Sequence, residues 1–149
     1  MLRRTRRECS GVLQKVAALS GLPLERLEDP QVARFTSGQL YEPHYDGPHP
    51  KDPDGKAFIS CGGQRILSVV IYLNDVRRGG ATRFNQLDID VEPRRGVALV
   101  YCPAFLDGRL DPKTQHEDRP AEDTKWICQI WGRQRKDPRR VFINNEDSI

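Results

Sequence analysis

The sequence predicts a mainly β domain with one packing helix, arranged as a jelly roll, also called a double-stranded β-helix. Short runs of β-branched and aromatic residues follow one another, and turn signals separate them about every ten residues. One amphipathic stretch precedes these runs. The chain has 149 residues with 12 glycines and 11 prolines, which is typical of a protein with many turns. We expect a single domain over residues 1–149.

The helix is predicted at about residues 5–20, where apolar residues recur at a spacing of three to four. Thr5 and Glu8 fit a capping box at its start. Gly21 and Pro23 are expected to end it.

The jelly roll is expected to span about residues 31–131. Its predicted strands are Gln31–Phe35, a central strand Arg65–Asn74 buried on both faces, a half-exposed strand Leu87–Val91, a buried strand Val97–Tyr101, and a last strand Lys125–Trp131. Residues 47–63 are rich in glycine and proline and are predicted to form a long loop that acts as a lid. Residues 132–149 read as a basic, solvated tail.

The overall charge and the apolar pattern exclude some classes of protein. The net charge is only +3, so no nucleic-acid partner is expected. No apolar run reaches the roughly 18 residues of a membrane span. The basic residues 1–7 precede no apolar segment, so we expect no signal peptide and favour a cytoplasmic location. The four cysteines could be free thiols or could form one disulfide.

The candidate chemistry centres on His44 and Asp46, in a stretch predicted to be extended. In a strand, residues two apart point to the same face. A second histidine would complete the 2-His-1-carboxylate set that is typical of non-haem Fe(II). The H-x-D pair alone also arises by chance, so it does not decide the matter.

Only three histidines are present. His116 follows His44 by about seventy residues, and the first and late strands of a double-stranded β-helix lie side by side, so His116 could be the third ligand. Taken singly, it is more typical of a histidine near a loop than of a metal ligand. His49 lies between prolines and is expected to be an exposed loop residue.

Lys125 opens the last predicted strand and shares a face with Ile127, Gln129 and Trp131. If that face lines the interior, the Lys125 ammonium is buried and must be paired. No carboxylate of the chain is assigned to it, so an anionic ligand is expected. A surface lysine at a strand start is the alternative.

Seven blocks of sequence occur in a characteristic order: Gln31–Phe35, Gly38–Tyr41, Pro43–Asp46, Gly62–Arg65, Tyr72–Val76, Gly79–Thr82 and the segment from His116 to Trp131. Together they resemble the prolyl 4-hydroxylase family of Fe(II)- and 2-oxoglutarate-dependent dioxygenases. The resemblance extends from about Gly11 to Trp131.

The resemblance implies a set of site residues. His44, Asp46 and His116 would bind Fe(II), and Lys125 would pair with the distal carboxylate of 2-oxoglutarate. Phe35 would lie in the 2-oxoglutarate pocket, where relatives commonly have a tyrosine whose hydroxyl assists. The missing hydroxyl would weaken cosubstrate binding by about 1–3 kcal/mol.

The resemblance also implies an activity. The chain would hydroxylate prolyl residues of a peptide or protein, consuming O2 and 2-oxoglutarate and releasing succinate and CO2, with ascorbate expected as a further cofactor. Tyr41, Arg65 and Trp131 would lie near the substrate, where aromatic faces suit a proline ring.

Two further departures and two alternatives accompany this resemblance. The segment from His116 to Lys125 is one residue shorter than usual and lacks the usual glycine. Strands that precede the helix in relatives are missing, so the chain is expected to be a fragment or a minimal domain. It could instead be a dioxygenase acting on another residue or a small molecule, or a catalytically weak peptide-binding jelly roll. Lys125 favours the prolyl type over lysyl hydroxylases, which have arginine there.

Overall fold

The computed structural model describes residues 2–3, 9–49 and 51–139. Its helices are α1 (Ser10–Ser20) and α2 (Pro53–Ser60). Its strands are β1 (Leu2–Arg3), β2 (Gln31–Phe35), β3 (Tyr41–His44), β4 (Arg65–Tyr72), β5 (Thr82–Phe84), β6 (Ile89–Val91), β7 (Ala98–Tyr101), β8 (His116–Asp118) and β9 (Lys125–Arg133). No helix in these ranges has the length and apolar character needed to cross a bilayer.

Within the described residues the strands form two antiparallel sheets. One has the order β1-β2-β9-β4-β7 and the other the order β3-β8-β5-β6. β9 is the middle strand of the larger sheet, and it pairs with β2 on one side and with β4 on the other. The predicted mainly β jelly roll with a packing helix is confirmed.

Side-chain alternation along β4 places the core and the candidate site on opposite faces of the larger sheet. Leu67 and Val69 pack in one apolar cluster with Leu13 of α1. Ser68 and Tyr72 point the other way, and their hydroxyls donate to groups on or next to the second sheet. The helix therefore covers one face and leaves the other to the site.

Helix α1 begins later than predicted. Its N-cap is Cys9, and it spans three turns instead of four. Leu2 and Arg3 belong to β1, which pairs with β2. The predicted capping residues Thr5 and Glu8 lie outside the described residues.

Gly21 ends α1 as predicted. It adopts φ 70°, a left-handed conformation that glycine allows, and its N–H donates to the Ala17 carbonyl at 2.9 Å.

The segment 47–63 is not a loop throughout, because it contains α2. Pro53 stands at the first position of this helix, where its missing N–H costs nothing. Gly55 approaches the backbone so closely that an added Cβ would lie 2.1 Å from the His49 carbonyl oxygen. The composition that suggested a loop instead reflects a helix start and a close backbone contact. The lid remains a prediction.

The predictions for one strand and for the C-terminal tail also need correction. Val97–Tyr101 was expected to be buried, but β7 is an edge strand whose residues are exposed or half-buried. The predicted basic tail begins inside the sheet, since β9 continues through Gly132 and Arg133. Arg133 is buried, so the tail is not solvated from its start.

All four cysteines are free thiols, and Cys128 lies in the apolar cluster beneath α1. Burial raises the pKa of the Cys128 thiol to about 11 from the usual 9.0. In the unfolded chain the thiol ionises first, so the stability that Cys128 contributes is complete below pH 9 and is lost as pH rises towards 11.

We therefore expect the free energy of unfolding, measured by urea titration, to fall by roughly 2 kcal/mol more between pH 8 and pH 11 in the wild type than in Cys128→Ala. Cys102→Ala is the matched control, because Cys102 is exposed, and it should follow the wild-type curve. Equal slopes for the wild type and Cys128→Ala would contradict the prediction.

Candidate active site

The three predicted metal ligands are brought together by the pairing of β3 with β8. His44 is the last residue of β3 and lies directly opposite His116, the first residue of β8. Asp46 lies just beyond β3, in a bend and not in the predicted extended stretch. Its backbone is fixed by Arg65, whose Nη1 donates to the Asp46 carbonyl at 2.8 Å.

The ligand atoms of His44, Asp46 and His116 all lie within 4.8 Å of one another. Asp46 Oδ1 is 3.8 Å from Nε2 of each histidine. The two imidazole centroids are 4.3 Å apart. Two imidazole nitrogens and one carboxylate oxygen therefore converge on one point.

The hydrogen bond of each imidazole to the backbone shows which ring nitrogen faces away from the cluster. Nδ1 of His44 lies 2.8 Å from the Glu42 carbonyl, and Nδ1 of His116 lies 2.9 Å from the Thr114 carbonyl. A carbonyl can only accept, so Nδ1 carries the proton and donates. In a neutral ring Nε2 then carries the lone pair, which is the form that binds a metal.

The charges of the ligands also suit a divalent cation. Burial raises the pKa of Asp46, but nearby His116 and hydrogen bonds from Ser68, Tyr101 and Trp131 outweigh it, so the pKa lies below its usual value. Burial and neighbouring His116 lower the pKa of His44. Near neutral pH, Asp46 is therefore an anion and His44 is neutral, and the set fits Fe(II).

Tyr101 orients the carboxylate. Its hydroxyl donates to Asp46 Oδ2 at 2.5 Å, and Ser68 donates to the same oxygen at 2.6 Å. Oδ1 is left facing the histidines. Burial and the Asp46 charge raise the pKa of Tyr101 well above its usual value, so the hydroxyl stays protonated and donates.

We expect Tyr101→Phe to lower the affinity for a divalent metal by about 10- to 100-fold, because groups that orient a ligand have effects of this size. Competition with a chelator would measure this. Tyr72→Phe is the matched control, since the buried Tyr72 hydroxyl donates to Thr82 instead of a ligand. Unchanged affinity in Tyr101→Phe would show that the hydroxyl has no orienting role.

The metal cluster opens into a cavity of about 470 Å³, within the size range of small-molecule and cofactor sites. Residues of both sheets line it: Gln31, Ala33, Arg34, Phe35, Tyr41, His44, Tyr45, Asp46, Arg65, Asp118, Gln129 and Trp131. The three predicted substrate residues therefore line one cavity together with the metal ligands His44 and Asp46.

Arg65 is held in the cavity wall by other residues. Its guanidinium donates two hydrogen bonds to Glu28, at 2.9 and 2.8 Å. It also lies 3.9 Å from the centroid of the Trp131 ring. Through these contacts Arg65 holds the Trp131 ring and the Asp46 backbone in place.

Lys125 has its predicted inward orientation, and it contacts a carboxylate of the chain that the sequence did not reveal; its pairing with an anionic ligand stays a prediction. The side chain is fully buried, and Nζ donates to Asp118 Oδ1 at 2.8 Å and to the Gly80 carbonyl at 2.9 Å. Nζ also lies 4.6 Å from the Phe35 ring centroid. A carboxylate of the chain therefore neutralises Lys125. This contact was not foreseen because β8 was not predicted, so Asp118 was not placed inside the domain.

The sequence interpretation missed Ser68, Tyr101 and Asp118. Ser68 interrupts an apolar strand, and this polar residue in a buried run was a usable signal. Asp118 follows His116 by two residues, which is the same spacing as in the H-x-D pair. Tyr101 gave no signal, since a tyrosine at the end of a strand is common.

Sequence comparison identifies related proteins. A sequence model of the 2OG-Fe(II) oxygenase superfamily matches residues 30–133. The chain is 35% identical over 127 residues to a putative prolyl 4-hydroxylase of Acanthamoeba polyphaga mimivirus, covering 84% of this chain and 52% of that protein. It is also 35% identical over 124 residues to prolyl 4-hydroxylase subunit alpha-1 of Homo sapiens, covering 82% and 23%. The chain thus spans about half the length of the first relative and about a quarter of the second.

Solved structures show the same similarity. A viral collagen prolyl hydroxylase from Paramecium bursaria Chlorella virus-1, in a 2OG complex, superposes with a TM-score of 0.73 at 25% identity, covering 89% of this chain and 76% of that one. A Pseudomonas putida prolyl-4-hydroxylase superposes with a TM-score of 0.55 at 27% identity, covering 87% and 76%.

Proposed function

The chain belongs to the prolyl 4-hydroxylase family of 2OG-Fe(II) oxygenases, and from this membership we propose that it hydroxylates prolyl residues of a peptide or protein. The observation that carries the proposal is the cluster of His44, Asp46 and His116, which shares a cavity with exposed aromatic surface. Family membership supplies the reaction class, and the cavity supplies room for a substrate.

Fe(II), 2-oxoglutarate and O2 are the cofactor and cosubstrates that the family implies. His44, Asp46 and His116 would hold the Fe(II), which when bound supplies the oxygen chemistry that couples hydroxylation of the substrate to decarboxylation of 2-oxoglutarate into succinate and CO2. Hydrogen bonds with the surrounding residues orient the two Nε2 atoms and Asp46 Oδ1 towards one point. We add ascorbate as a proposed reductant.

Lys125 is the proposed partner of the distal carboxylate of 2-oxoglutarate, and Phe35 forms the neighbouring wall of that pocket. The two residues lie directly opposite each other on β9 and β2. Phe35 carries no hydroxyl, so the hydrogen bond that a tyrosine would donate to this carboxylate is missing from the pocket.

The proposed substrate surface consists of Tyr41, Trp131 and Arg65. Tyr41 is 54% exposed, and its ring packs edge-on against His44 at a centroid distance of 4.1 Å. A proline ring that packs on Tyr41 would therefore lie close to the metal ligands. Arg65 keeps the Trp131 ring in place, so its proposed role is to shape this surface.

The test is turnover. The purified protein, supplied with Fe(II), 2-oxoglutarate, O2 and ascorbate, is assayed for succinate with and without proline-rich peptides, and mass spectrometry locates the added oxygen. Peptide-dependent succinate with oxygen on a prolyl residue is the expected result. Oxygen on another residue, or stimulation only by a small molecule, would indicate the related dioxygenase activities. Peptide binding without turnover in a folded, iron-loaded sample would indicate a binding module.

A further inference from the structure

The most unusual group in the cavity is the carboxylate of Asp118, which the reaction does not require. Asp118 lies two residues after His116 on β8 and therefore faces the same side of the sheet. It is directly opposite Thr82 of β5 and Tyr41 of β3. It lines the same cavity as His44 and Asp46, and it is 4% exposed.

The contacts of Asp118 are those that a bound carboxylate would make. Its Oδ1 accepts from Lys125 Nζ at 2.8 Å and from the Thr82 hydroxyl at 3.2 Å. The Tyr72 hydroxyl in turn donates to Thr82 Oγ1 at 3.0 Å. A buried ammonium and a chain of hydroxyls thus converge on a carboxylate that belongs to the protein.

We propose that Asp118 competes with the cosubstrate for Lys125 and thereby sets the affinity for 2-oxoglutarate; this inference rests on the proposed function. An incoming distal carboxylate can reach the Lys125 ammonium only by displacing Asp118 or by sharing the cation with it. Either course leaves two carboxylates near one ammonium in a buried place, which is unfavourable. The distal carboxylate of 2-oxoglutarate therefore adds little to the free energy of binding.

Competition from Asp118 should show in the relative affinities of different 2-oxo acids. The 2-oxo acid head group would bind at the metal in any member of the series, but the tail would meet Asp118. The wild-type protein should bind 2-oxoglutarate and 2-oxopentanoate, which has the same chain length and no distal carboxylate, with dissociation constants within about threefold. If Lys125 were not paired with Asp118, the distal carboxylate would lower the dissociation constant by about tenfold or more, which is the usual effect of a hydrogen bond to a charged group.

Asp118→Asn tests the competition directly. The amide has the shape of the carboxylate but no charge, so Lys125 becomes available to a ligand. We expect 2-oxoglutarate to bind at least about tenfold more tightly to the iron-loaded variant, and 2-oxopentanoate to bind as it does to the wild type. Anaerobic isothermal titration measures both constants in the absence of turnover.

Glu117→Gln is the matched control. It removes the same charge from the neighbouring position of β8, where the side chain points to the other face and approaches Arg119 at 3.6 Å. It should leave both constants unchanged. An equal gain in 2-oxoglutarate binding from Glu117→Gln would assign the effect to net charge and overturn the proposal.

Further results would also overturn the proposed competition between Asp118 and 2-oxoglutarate. A wild-type protein that binds 2-oxoglutarate tenfold more tightly than 2-oxopentanoate would overturn the competition without any variant, even if Asp118→Asn fails to fold. Unchanged 2-oxoglutarate binding in a folded Asp118→Asn variant, or an equal gain for both acids, would overturn it and leave the proposed function standing. If neither 2-oxo acid binds to either iron-loaded protein, the proposed function fails and this inference fails with it.

Discussion

Replacing His116 with alanine is expected to lower the affinity for Fe(II) by more than about 100-fold and to abolish turnover while the domain stays folded. The estimate exceeds the 10- to 100-fold that supporting groups contribute, because His116 is a ligand itself. His44→Ala should behave in the same way, and it disturbs the fold less because the His44 side chain is 20% exposed. Chelator competition and the succinate assay measure the two effects, and circular dichroism monitors folding.

His49→Ala is the matched control for both variants. His49 is the only other histidine, and it lies before α2, where its Nδ1 accepts from the Lys51 backbone N–H. It should leave metal affinity and turnover at wild-type levels. A folded His116→Ala variant that retains full metal affinity would refute the ligand assignment.

Arg133→Met is expected to reduce the free energy of unfolding by about 3–5 kcal/mol, the cost of breaking a buried charged contact. The Arg133 guanidinium stacks 3.8 Å from the Phe58 ring centroid and donates to the Phe58 and Gly63 carbonyls at 2.7 and 2.9 Å. Methionine preserves apolar volume but leaves both carbonyls and Asp137 without this donor. Urea denaturation at neutral pH measures the loss.

Arg135→Met provides the comparison, because it removes the same charge two residues later from an exposed position. Its expected effect is within about 0.5 kcal/mol, as for most surface substitutions. If the two variants unfold at the same urea concentration, Arg133 does not anchor α2 to the sheet.

The metal ligands could be predicted because their chemistry is local in sequence or limited in number. The spacing of His44 and Asp46 is visible directly, and a chain with three histidines offers few candidates for the third ligand. The central strand was predictable because β4 is buried on both faces and is therefore almost continuously apolar.

The partner of Lys125 could not be predicted, because it depends on which strands become neighbours. β8 has only three residues and two of them are charged, so neither its composition nor its length indicates a strand. Its conformation is imposed by pairing with β3 and β5. For the same reason β7 was expected to be buried, since an apolar sequence does not reveal whether a strand lies at an edge.

The position of His44 directly opposite His116 has a consequence for folding. These residues are more than seventy positions apart in the chain, so half of the metal site forms from a local turn and the other half requires closure of a long loop. A metal that joins both halves acts as a cross-link, and closing a loop of this length restricts the unfolded chain by about 4 kcal/mol in the chain-entropy treatment of cross-links. The metal would therefore be captured late in folding and would then slow the separation of β3 from β8.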